Sequence, residues 1–66
     1  MKIPEAYQIR VFQEREELQE RVSKLTQFMF SDNFSTVNLA EQARLTRQLE
    51  YMDNYLRVLT ERIEAM

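Results

Sequence analysis

Arg44, Gln48, Tyr51, Tyr55 and Arg62 follow one another at steps of four, three, four and seven residues. In a helix that spacing lines all five up along one strip. Their types suit an anionic ligand that carries rings. A guanidinium makes charge-assisted forks with phosphate, a phenol ring stacks on a base, and a carboxamide bonds a base edge. Arg47 stands near the edge of the same strip. Packing is the competing reading: Tyr beside a helical seam buries its ring and wets its hydroxyl, while flanking Arg pairs with Glu of a neighbour. The strip offers binding chemistry; nothing in it attacks a bond.

The rest of the chain is as poor in catalytic groups. There is no His, no Cys and no Gly, which removes the commonest general base, the thiolate nucleophile and every glycine-rich phosphate loop. Glu61 and Glu64 have helical spacing, but no His accompanies them as a metal ligand, so neither a metal nor a cofactor is expected. The net charge of −2 argues against a nucleic-acid or anionic-membrane binder, which needs a basic face. Seven Arg against two Lys is the more telling balance, since Arg is the cation built for bidentate and stacked contacts. No apolar run is long enough for a signal peptide or a membrane span, and the absence of Cys fits a reducing compartment; an intracellular protein is expected.

The elements that would position the strip are two helices. Leu45, Leu49, Met52, Leu56, Leu59, Ile63 and Met66 alternate steps of four and three, the apolar seam of a coiled coil or bundle. Earlier in the chain, Tyr7, Val11, Leu18, Val22, Leu25 and Met29 fall on one helical side, with Glu14 and Arg15 filling the gap. The charged stretch Glu14 to Glu20 reads as a solvated face, with Glu17–Arg21 and Glu20–Lys24 at pairing distance. Pro4 is expected in the first helical turn. Ser31-Asp32-Asn33 break the pattern as turn formers, and Phe34 reads as a plug beneath the turn, or else as a binding residue. The second helix starts at Asn38 with Glu41 three residues on, or at Ser35. The expected fold is all-α, a single antiparallel hairpin over 1–66: helix about 4–31, turn about 32–37, helix about 38–66.

One hairpin cannot cover its own apolar surface. Beside the seam runs a second strip of Tyr51, Tyr55 and Val58, and on the first helix Ile9, Phe12 and Phe30 fall off the main seam. A chain of 66 residues has a thin stability margin, and without disulfide or metal the remaining remedy is oligomerisation. A homo-oligomer is expected, most simply a two-fold dimer forming a four-helix bundle. Its interface should draw on Tyr7, Val11, Phe12, Leu45, Leu49, Met52, Leu56, Leu59 and Ile63. In such an assembly the flanks of two copies converge, a common place for small-ligand pockets.

The series Tyr7-Gln8, Arg10-Val11, Glu14, Leu18, Leu25, Phe28, Phe34, then Glu41, Leu45, Gln48, Met52, Tyr55, Leu59 and Arg62-Ile63 resembles a group of very small proteins of bacteriophages and prophages. The group is named after a crAss-like phage protein, and the resemblance runs over almost the whole chain. It implies a phage setting in a bacterial host cytoplasm rather than a reaction. Phage proteins of this size include helical oligomers that sequester cyclic or ADP-ribose-derived immune nucleotides, which is an analogy of function for this chain. The alternatives are a helical adaptor or inhibitor of a host protein, and an RNA-binding four-helix dimer. The last needs a basic face, and here the cations are scattered among eleven acids.

Overall fold

A computed structural model describes residues 3–66. These form two long helices, α1 (Ala6–Met29) and α2 (Leu39–Glu64), joined by a short 3-10 turn over Asp32–Thr36. The fold is an all-α hairpin, with no strand among the described residues.

The first helix starts two residues later than its proline suggests. Glu5 is the N-cap, in an extended conformation (φ −74°, ψ 160°), and its N–H donates to Gln8 Oε1 at 2.8 Å. The Gln8 side chain thus reaches back to satisfy a donor that the helix leaves orphaned. Pro4 therefore lies outside the helix, and the expectation that it occupies the first turn is corrected. At the other end Phe30 is the C-cap (φ −91°, ψ −1°), and the Ser31 hydroxyl donates to the Phe28 carbonyl at 2.6 Å. The helix closes at Met29, so the expected end near 31 is two residues too far.

Local polar side chains hold the turn. The Ser35 and Thr36 hydroxyls donate to the carbonyls of Asp32 and Asn33 at 2.8 and 2.6 Å, the competition with regular helix that these residue types favour. Phe34 is half-buried and meets Phe28 edge-on, ring centroids 6.0 Å apart, a favoured aromatic geometry. Asn38 caps α2, its Oδ1 accepting the Glu41 N–H at 2.8 Å. Glu41 turns instead toward Arg44, 3.3 Å away, so only half of the capping box forms. Ser35 belongs to the 3-10 turn and does not start the helix.

The core is narrow. Val11, Leu18, Val22 and Leu59 are buried, and Leu49, Met52, Leu56 and Ile63 pack against them half-exposed. The rod measures 51 × 16 × 14 Å with a radius of gyration of 15.3 Å. A compact chain of this length would have a radius near ~11 Å. Its accessible surface is 5451 Å², whereas a compact monomer of 8.0 kDa exposes about 4,450 Å². The hairpin carries about 1,000 Å² more surface than a chain of its mass needs to expose.

Candidate functional site: a groove along the second helix

Arg44, Arg47, Gln48, Tyr51, Met52 and Tyr55 line a groove of about 450 Å³ on one side of the hairpin. Four of the five residues expected in the strip are among them. Arg62 is not. It lies seven residues beyond Tyr55, about 10 Å further along the helix at about 1.5 Å per residue. Its charge is still felt at the Tyr55 hydroxyl.

The two ends of the groove differ. At one end Arg44 pairs with Glu41, in an exposed contact of 3.3 Å. Such surface pairs are worth little and yield readily to a better anion. At the other end the Tyr55 hydroxyl donates to Glu14 of α1. This bond raises the Tyr55 pKa above its ordinary value of 10.0, because the bond holds the proton; desolvation and the Glu14 charge add to it, and Arg62 opposes them. The ring of Tyr51 is 65% exposed and free to be covered. The Gln48 amide donates to the Met52 sulfur at 3.8 Å, a weak acceptor that a ligand oxygen can displace.

The Sequestin family matches residues 5–65. The chain belongs to the Sequestin family. No curated protein and no solved structure matches it.

Two contacts between the helices were not legible in the sequence of this Sequestin member. Glu14 and Arg15 read as part of a solvated face, yet both reach across to α2. Glu14 accepts from Tyr55, and Arg15 Nε donates to Thr60 Oγ1 at 2.8 Å in a half-buried contact. Of the two pairs expected along α1, Glu20–Lys24 forms at 3.2 Å. A second groove, of about 510 Å³, is lined by Phe12, Arg15, Glu16, Gln19, Thr60, Ile63 and Glu64. Its two carboxylates make it the poorer host for an anion.

The residues expected between copies divide into three sets. Val11 and Leu59 are covered inside one hairpin, at 5% and 0% exposure, so they are core and offer nothing to a second copy. Leu45, Leu49, Met52, Leu56 and Ile63 are half-buried. Tyr7 and Phe12 are exposed. Among the described residues no group of acids could hold a metal ion, and no helix is long and apolar enough to cross a membrane.

Proposed function

We propose that this protein is a non-catalytic homo-oligomer that withdraws a small phosphate-bearing nucleotide from solution, holding it in the Arg44–Tyr55 groove. The observation that carries the reading is the groove itself: Arg44, Gln48, Tyr51 and Tyr55 converge there with Arg47. The family's name points the same way, toward sequestration. Phosphate would sit against the exposed guanidinium groups of Arg44 and Arg47, with a base or ribose over Tyr51 and Tyr55. Tyr55 lies eleven residues beyond Arg44, about 16 Å along the helix, enough for a ligand of dinucleotide size. The resemblance to phage proteins supports a setting in an infected bacterial cytoplasm. There a cyclic nucleotide or an ADP-ribose derivative would act as an immune signal and the protein as counter-defence. Surplus accessible surface supports self-association.

A thermal-shift screen across cyclic di- and trinucleotides and ADP-ribose cyclisation products tests the reading. A ligand present at 100 times its Kd adds about 2.7 kcal/mol, which for a domain this small raises Tm by about 10 °C or more. One ligand class should give that shift and be recovered chemically unchanged. If no nucleotide shifts Tm and the protein instead captures a host protein, the adaptor reading replaces this one. RNA binding that weakens steeply with salt would replace it with the RNA-binding dimer.

A further inference from the structure

Phe30 is a large apolar side chain, yet 88% of it is exposed; Phe12 is 38% exposed. The two are eighteen residues apart, five turns of helix, and therefore lie on the same side of α1. The dihedrals of Phe30 are still helical, so the spiral runs through it. Between them on that side lie Glu16, Gln19, Ser23 and Thr26. From Phe12 to Phe30 the steps are four, three, four, three and four. The series reads the same from either end, so in antiparallel pairing with its own copy every position of the strip meets another of its positions at the same level.

We infer that two copies of the chain associate through this strip, α1 against α1 in antiparallel register about a two-fold axis level with Arg21. Phe12 of each copy then covers Phe30 of the other, Glu16 meets Thr26, and Gln19 meets Ser23. No two like charges stand opposite one another. Parallel pairing would set Glu16 against Glu16, a destabilising juxtaposition of like charges. The interface is isologous, so one strip serves both copies. A standard interface covers about 800 Å² per partner, and the hairpin as a whole exposes about 1,000 Å² beyond a compact chain of its mass.

The pairing also says where the groove lies in the assembly. Phe12 shares its side of the hairpin with Arg15 and Thr60, while Tyr55 crosses to Glu14 on the other side. Pairing through Phe12 and Phe30 therefore leaves the Arg44–Tyr55 groove facing outward, one per copy. The sequence had pointed to flanks that converge between copies; this arrangement separates them.

The inference rests on the homo-oligomer part of the proposed function but not on any ligand, so the two fail separately. Phe30→Asp changes a side chain that one hairpin hardly covers, so helical content by circular dichroism should hold. Sedimentation should meanwhile fall from a dimer or multiple of it to 8.0 kDa. The chain has no Cys of its own, so introduced thiols report alone. Mixing Glu16→Cys with Thr26→Cys and oxidising should give a cross-linked dimer. Either variant by itself should not, because its own thiols would be offset by about 15 Å along the axis. Retention of oligomeric mass by a folded Phe30→Asp overturns the pairing, as does equal cross-linking in the unmixed samples or none in the mixture. A parent chain that sediments as a monomer overturns both the pairing and the oligomer.

Discussion

Leu59→Ala tests whether the hairpin's core has been placed correctly. Among the described residues Leu59 is the one side chain with no exposed surface, and it packs in a cluster with Val11, Leu18 and Val22. The substitution removes three carbons from an apolar site, a transfer loss of about 2.4 kcal/mol at about 0.8 kcal/mol per carbon. The cavity left between two helices adds to this, since each helix is held at the right distance by its other contacts, giving about 2–5 kcal/mol in all. A chain of this length has only about 3–10 kcal/mol to lose. Urea unfolding followed by circular dichroism at fixed protein concentration measures the effect. The variant should lose about a fifth or more of the parent's stability. Leu56→Ala, at a half-exposed position, should cost less than Leu59→Ala if one hairpin is all that covers it, and as much if a second copy does. Glu17→Ala, on the exposed side of α1, should stay within about 0.5 kcal/mol. Equal losses for Leu59→Ala and Glu17→Ala would mean that the two helices do not pack in this register.

Three further outcomes follow from individual contacts. Asn38→Ala should destabilise by about 1 kcal/mol in thermal melts, whereas Asn38→Ser, which keeps an acceptor for the Glu41 N–H, should cost a fraction of that. The raised Tyr55 pKa makes the Glu14 contact a stabiliser that is fully present below the unfolded-state value of 10.0 and lost as pH rises through the folded-state value. Alkaline titration at 295 nm should thus show one of the three tyrosines ionising late, and Tyr55→Phe should abolish that step. Arg44→Ala should weaken nucleotide binding by about 1.5–3 kcal/mol in calorimetry without altering the melt of the free protein by more than a few tenths. Arg62→Ala should weaken it less, because Arg62 lies outside the groove.

The helices were legible because their signals are periodic and local. The unbroken seam from Leu45 to Met66 and the Asn38 cap each rest on residues within a turn or two of one another. Pro4 misled because two helix-start devices compete within five residues, and the Gln8 side chain closes the helix at Glu5 before proline can enter it. Glu14 and Arg15 misled for a different reason. Their partners, Tyr55 and Thr60, lie forty-one and forty-five residues away, and which of many polar residues meet across a hairpin depends on register. Periodicity says that two faces pack but not how far one has slid along the other. The same limit applies to Val11 and Leu59, which the pattern marks as apolar without saying whether the first or a second hairpin covers them.

Register is also what links the core to the groove. The bonds Tyr55–Glu14 and Arg15–Thr60 flank the core on opposite sides and join adjacent residues of α1 to positions five apart on α2. Sliding one helix by a turn would break both, and would pull Leu59 away from Val11, Leu18 and Val22. The polar crossings and the buried cluster therefore agree on one register. A groove built on a single straight helix needs that register. Its floor is rigid because α2 is uninterrupted from Leu39 to Glu64, but the position of Tyr55 over that floor is set from α1. Glu14, which interrupts the seam of α1, is therefore the residue through which the packing of the hairpin reaches the Arg44–Tyr55 groove.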